Sequence, residues 1–332
     1  MTASPSRFHY SFYYIALASG FSAAIFILNN FLIHLLGWQG VFVTLSGMGI
    51  LSGDEADSVT FTGLVQTAAF LAAVLMPIYM TQKARKGAFL DHLAFHEKRF
   101  STYASFVISF AFWGVMLVGI TDAVISFMRI EGTLVSVFGK DIASDLGRSV
   151  WRGSFVHMPL LGIAALIALR FRGISFIWLA TLIVVAELLI VVARFIFSYE
   201  QAFMGDLVRF WYAALFLFAS AQTLVEEGHV RVDVIYAGLS EVKKAFTNVV
   251  GAVALGIPLC WVILSRGLWE NTSVINGALL KFETSQSGFG MYVKYLMAGF
   301  LIIFAFSMIL QFSAFIMSHL QNHIKESQNA EN

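Results

Sequence analysis

The sequence predicts an all-α integral membrane protein of about eight transmembrane helices, with the N-terminus and the C-terminus both cytoplasmic. Three observations carry that prediction. Of 332 residues, 58% are hydrophobic and only 12% charged, about half the charged share of a soluble domain. Mean hydropathy is +0.78. Apolar runs of about 20 residues, enough to cross a hydrocarbon core roughly 30 Å thick, recur along the chain. So few charges cannot coat a water-facing surface, which excludes a soluble enzyme and a disordered chain. Lys+Arg number 21 and Asp+Glu 20, so no basic excess points to nucleic acid. The single cysteine, Cys260, excludes an intrachain disulfide and a Cys-rich metal cluster.

The spans follow in order. The first is Ser11 to Leu36 and the second Val59 to Met80. The third is Phe100 to Thr121, with Asp122 closing it. The fourth, Gly153 to Leu169, is short and carries Pro159. The fifth is Gly173 to Ala193, interrupted by Glu187. The sixth is Leu207 to Val225, the seventh Ala245 to Ser265 and the eighth Tyr295 to Ser318. None alternates as a barrel strand does, and in lipid a helix satisfies its own backbone. Trp38, Trp151, Trp211, Trp261 and Trp269 near span ends read as interfacial anchors.

Loop charge sets the orientation. Lys83, Arg85, Lys86, Lys98 and Arg99 follow the second span, whereas the loop before it holds Asp54, Glu55 and Asp57 with no Lys or Arg. The positive-inside rule puts residues 81–99 in the cytoplasm, and an even number of spans puts both termini there. The first apolar run is too long for a cleavable signal peptide and reads as an uncleaved anchor. The polar end, 321–332, reads as a flexible cytoplasmic tail.

The densest polar string is Glu226-Glu227-Gly228-His229-Val230-Arg231-Val232-Asp233, directly after the sixth span. His229, Arg231 and Asp233 alternate with valines, so an extended segment has one polar and one apolar face. A solvated turn at headgroup level explains the same residues. Ser240-Glu241 then reads as a helix start, opening an amphipathic arm along the membrane with Lys243 and Lys244 at the phosphate level.

His-Val-Arg-Val-Asp after an apolar helix resembles the signature of the small-permease (DctQ-type) subunit of TRAP transporters, the tripartite ATP-independent periplasmic family. Arg194-Phe195-Ile196-Phe197 is similar to the end of that family's first helix. Asp206 stands where the family has an acid opening its second helix. Glu283 and Ser285 in Phe282-Glu283-Thr284-Ser285 resemble its Glu-x-Ser outer loop, and Gln311 matches a glutamine of its last helix. Gly290-Met291 replaces a proline the family often has after that loop. The resemblance covers roughly 174–318. It divides the chain into a four-helix extension (1–172, a possible diverged repeat), a DctQ-like four-helix domain (173–320) and the tail.

The resemblance implies a protein that is not an enzyme and needs no cofactor. It implies a fixed scaffold in a bacterial inner membrane, paired with a large permease (DctM-type) that holds the substrate and sodium sites and moves as an elevator. A periplasmic solute-binding protein delivers an organic acid to the pair, and a sodium gradient drives uptake. The partners it implies are these two proteins and the lipid bilayer, with no nucleic acid.

Other polar residues are read from their surroundings. Glu187 lies mid-span, where a carboxylate is costly unless paired or protonated. Arg194 lies two turns on, near the same face. The two read either as polar contacts to a neighbouring helix or partner, or as a neutral acid buried between helices. Asp122, Asn29 and Asn30 read as interfacial. His34 and His157 are too few for a haem held by paired imidazoles. His92 and His96 have i, i+4 spacing without a following Glu and read as a solvated face. The alternative function, a membrane-anchored electron-transfer or intramembrane enzyme subunit, lacks paired histidines and a catalytic cluster.

Overall fold

A computed structural model describes residues 5–52, 58–171, 176–225, 236–285 and 290–331. In chain order the helices are α1 (Arg7–Leu36), α2 (Val41–Gly47), α3 (Phe61–Lys86), α4 (Phe89–Ile130) and α5 (Leu134–Leu146). They continue with α6 (Ser149–Arg170), α7 (Phe176–Phe197), α8 (Ala202–Val225), α9 (Glu241–Leu268), α10 (Val274–Leu280) and α11 (Lys294–Glu331). Among the described residues, eight helices are long and apolar enough to cross a membrane, all but α2, α5 and α10, and no strand occurs. By alternation of the spans, α2, α5 and α10 fall in connections on the face opposite the N-terminus.

Local chemistry sets the helix ends. Gly37 closes α1 in the left-handed region (φ 68°), and its N–H reaches the Ile33 carbonyl at 3.1 Å. The Thr60 side chain caps α3 by accepting from Gly63 N–H at 3.2 Å. Ser240 precedes α9 as expected, and Glu241 in its first turn binds Lys244 Nζ at 2.8 Å.

Two prolines widen their helices. Pro159 and Pro258 have no N–H for the carbonyls of Phe155 and Ala254. The preceding stretches, Gly153–His157 and Ala252–Gly256, take π-helical turns, so Met158 N–H reaches Gly153 O and Ile257 N–H reaches Ala252 O. The turn in α6 rotates the residues ahead of Pro159 relative to a regular helix.

Four expectations are corrected. The third span does not close at Asp122. α4 is 42 residues long, about 63 Å at 1.5 Å per residue, far beyond the hydrocarbon thickness. Hydropathy detects only its apolar middle, whereas residues 89–99 mix charged and apolar side chains and hold no Gly or Pro to break the helix. The end of the chain is not a loose tail, because α11 runs on to Glu331 and buries Leu320 and Ile324. There Gln321 Nε2 donates to Glu97 Oε2 at 2.5 Å, and His323 Nδ1 lies 3.2 Å from His9 Nε2. His96 is buried rather than solvated, with Nδ1 2.8 Å from the Tyr13 hydroxyl. Trp211 is buried and not an anchor; its indole lies so close to Gly119 that a Cβ there would come within 2.7 Å of Nε1.

The chain forms two compact units, each taking helices from both sides of residue 173. One unit comprises residues 1–104, 224–269 and 305–332. Its core includes Tyr13, Leu17, Leu93, Phe100, Val249, Leu264 and Ile316, and Ser313 Oγ donates to Ala16 O at 2.9 Å. The other comprises 105–223 and 270–304. Its aromatic core sets Phe300 against Phe218 at 4.9 Å and Phe210 at 5.1 Å between ring centres.

The topology has a direct test. In a Cys260→Ala background, a membrane-impermeant thiol reagent applied to intact cells should label Thr133→Cys, between α4 and α5, and spare Lys86→Cys, at the α3–α4 turn. The reverse pattern would overturn the orientation.

Candidate functional site

The strongest polar constellation lies within the second unit. Asp122, Ser126 and Arg129 recur at i, i+4 and i+7 on α4, so one face of that helix presents all three. α6 supplies Arg152 and, from its π turn, His157. The segment 290–293 and the first turn of α11 supply Tyr292 and Tyr295. The side chains of Asp122, Ser126, Arg152 and His157 are fully enclosed.

Asp122 is the hub. Its Oδ1 accepts from Arg152 Nη1 at 2.9 Å and lies 3.0 Å from His157 Nε2. Its Oδ2 accepts from the Tyr292 backbone N–H at 2.7 Å. The His157 Nδ1 lies 2.9 Å from the Tyr295 hydroxyl. These partners fit an imidazole that donates from Nε2 to the carboxylate and accepts at Nδ1 from the phenol. Arg152 donates from Nε to Leu146 O at 2.8 Å and from Nη1 to Ser126 Oγ at 3.2 Å, while Nη2 has no partner. Its guanidinium carbon sits 4.2 Å from the centre of the Tyr292 ring, and that of Arg129 sits 4.8 Å from the same ring. Arg129 also donates to the Tyr292 hydroxyl and, at 3.0 Å, to Gly290 O. The Tyr292 hydroxyl donates to Gly147 O at 2.9 Å.

A second carboxylate holds the adjacent peptide. Asp206 Oδ2 accepts from Met291 N–H at 3.0 Å and from Ser285 Oγ at 3.2 Å, with Arg209 Nη1 3.5 Å from Oδ1. Glu283 Oε1 binds Lys294 Nζ at 2.5 Å, and the Glu283 carbonyl accepts from Tyr295 N–H at 3.0 Å. Directly before Glu283, Phe282 has φ +48°, a left-handed conformation that costs about 1 kcal/mol or more for a non-glycine residue. Its ring lies over Gly153, where a Cβ would come within 2.2 Å of it. Any side chain at 153 would displace that ring. Consecutive N–H groups of the segment entering α11 are therefore held by two acids, Asp206 from α8 and Asp122 from α4. At the same end of the unit, Tyr199 donates to Glu131 at 2.8 Å. Partial burial and that carboxylate push its phenol up to about 12.

The arrangement is a clamp. Asp122, His157 and Tyr295 are all buried. Both nitrogens of His157 are engaged, which leaves none for an axial haem ligand. The buried charges are tolerable because they are paired and hydrogen-bonded.

Of the residues named from the sequence, the structure joins Asp206 to Ser285 and Asp122 to His157, and pairs Glu283 with Lys294. It does not join Glu187 to Arg194. Arg194 Nε lies 3.3 Å from Glu200 Oε2, and Glu187 is exposed halfway along α7 with no partner among the described residues. His229, Arg231 and Asp233 lie outside the described residues. Sequence reasoning missed Arg129, Arg152, Tyr292 and Tyr295 and placed Asp122 at the interface; the signal available was the spacing of Asp122, Ser126 and Arg129.

Residues 180–322, from within α7 to within α11, match the family model described as Tripartite ATP-independent periplasmic transporters, DctQ component. Over that stretch the chain is similar to the DctQ component of these transporters. Four helices long and apolar enough to cross a membrane precede the matched part, and they supply Asp122, Arg152 and His157. No curated protein and no solved structure matches the chain.

The clamp should behave as one unit. Arg152→Met leaves Asp122 buried without its cation and should destabilise the protein by about 3–5 kcal/mol. Asp122→Asn combined with Arg152→Met should cost less than the sum of the single changes. Unfolding in detergent measures all three; additive losses would mean that the pair is not coupled.

Proposed function

We propose that this chain is the small permease, the fixed membrane scaffold, of a sodium-driven TRAP transporter in a bacterial inner membrane. It holds a large permease (DctM-type), which carries the substrate and ion sites. A periplasmic solute-binding protein delivers an organic acid to that pair. The match of residues 180–322 to the DctQ component carries this reading. The composition of the spans agrees with it: their largest buried polar cluster among the described residues is internally hydrogen-bonded.

The surface of α7 supports a partner within the membrane. Only Leu179 and Ile183 of this helix are buried. Glu187 lies beside exposed Val184, Leu188 and Val191. A carboxylate facing lipid at that depth costs about 2.5–3.5 kcal/mol, so the surface that covers α7 is expected to supply a hydrogen-bond donor. A two-fold dimer through this face would set two Glu187 side chains in one self-complementary patch, which favours a different chain as the occupant. His229, Arg231 and Asp233, the family motif, are proposed as a further contact to that partner or to headgroups. Glu283 and Ser285 are proposed to shape the outer loop.

Two experiments test this. Proteoliposomes containing only this chain should take up no organic acid. Adding the large permease and the binding protein should give uptake that needs a sodium gradient, and uptake by the chain alone would overturn the assignment. In the assembled complex, Glu187→Gln should be tolerated, whereas Glu187→Leu should weaken association by roughly 1–2 kcal/mol, the range for hydrogen bonds between membrane helices. Equal damage from both changes would assign the role to the charge itself.

A further inference from the structure

Within the first unit, α3 and the first turns of α4 line an open cavity of about 650 Å³ beside their short connecting turn. Its lining combines two kinds of side chain. Lys83, His92 and Arg99 line it, against a single acid, Asp91. Met76, Tyr79 and Phe95 supply apolar wall. Neither Lys83 nor Arg99 has an ion-pair partner among the described residues. Arg99 is laid against aromatic rings, its guanidinium carbon 5.3 Å from the centre of Phe95 and 5.8 Å from that of Tyr103. One Nη2 bond, 2.9 Å to the Tyr103 hydroxyl, fixes its orientation and leaves other N–H groups free to donate.

The cavity sits where the membrane ends. The apolar part of α3 stops at Met80 and that of α4 begins at Phe100. Lys83 and Arg99 therefore flank the polar boundary, while Met76 and Tyr79 lie on its hydrocarbon side. Tyr79 and Met76 are exposed, and above them on α3 Leu71 and Leu75 are exposed as well. An apolar track thus runs from the hydrocarbon region up to unpaired cations.

We propose that this cavity binds an anionic phospholipid, its phosphate held between Lys83 and Arg99 and an acyl chain lying along Tyr79, Met76 and Leu75. Basic recesses between membrane helices suit acidic headgroups, because a desolvated phosphate gains several charge-assisted hydrogen bonds at once. A free phosphate meets the same cations but has no use for the apolar wall, so the chemistry favours the lipid as the source. The site belongs to the extension and stands whether or not the transporter reading holds.

The test uses the full chain, washed free of lipid in detergent. Phosphatidylglycerol should raise its melting temperature and remain bound in native mass spectrometry, and phosphatidylcholine should do neither. The paired change Lys83→Gln with Arg99→Gln should lower phosphatidylglycerol retention at least fivefold. Lys83→Arg with Arg99→Lys, which keeps the charges, should restore it, and Lys140→Gln, far along the sequence and exposed, should have no effect. Equal retention by the wild-type and doubly neutralised proteins would overturn the site. The same stabilisation by inorganic phosphate alone would overturn its assignment to a lipid.

Discussion

A carboxylate with no exposure to water governs the second unit. Asp122 carries a charge inside an apolar helix, and an unpaired charge there is too costly to keep. Its two oxygens accept from a guanidinium, an imidazole and a backbone N–H. Each donor imposes a constraint of its own. Arg152 must enter fully buried, so its remaining donors go to Leu146 O and Ser126 Oγ. His157 must face the same oxygen from five residues further along α6, and the π turn over Gly153–His157 gives it that direction. Pro159, which makes the turn favourable by withholding an N–H, is thus tied to the electrostatics of a residue on another helix.

The backbone donor gives the arrangement its consequence. Tyr292 N–H and Met291 N–H are neighbours in the chain and point to different acids, Asp122 and Asp206. The segment entering α11 therefore cannot shift without breaking bonds to both α4 and α8. Its register fixes Lys294 beside Glu283 and Tyr295 beside His157. This stretch carries Gly290-Met291 and no proline. Proline at 291 would have no N–H to give Asp206. Rigidity that a ring would supply is supplied here by two carboxylates, one of them from the added helices.

The sequence makes the number and order of the spans legible, because long apolar runs leave no other secondary structure in lipid. It hides where helices extend past the membrane. Residues 89–99 and 321–331 carry enough charge to look like loops, yet their residue types favour helix, and each continues a span without a breaker. The polar half of the site divides in the same way. Asp206, Glu283 and Ser285 stand out because a family pattern marks them. Asp122 and His157 are visible but lie near span ends, where water is the default partner. Their actual partners come from distant parts of the chain, and no local pattern pairs Asp122 with Arg152 or with the Tyr292 backbone. Arg152 and Tyr292 had no signal of their own.

The same logic separates two kinds of surface on the chain. Burial in a membrane protein does not rank helices by hydropathy, since lipid is as apolar as a core. α7, the most hydrophobic span, buries only Leu179 and Ile183, whereas α11 buries residues along most of its length. What distinguishes lipid-facing from partner-facing area is the polar group left on it. At the boundary end of α3 and α4 the unpaired groups are cations at headgroup depth, where phosphate is abundant and long basic side chains can reach it. On α7 the unpaired group is a carboxylate at mid-depth, where the lipid has neither donors nor water. The first surface suits the phospholipid proposed for it, and the second suits the protein partner proposed for α7.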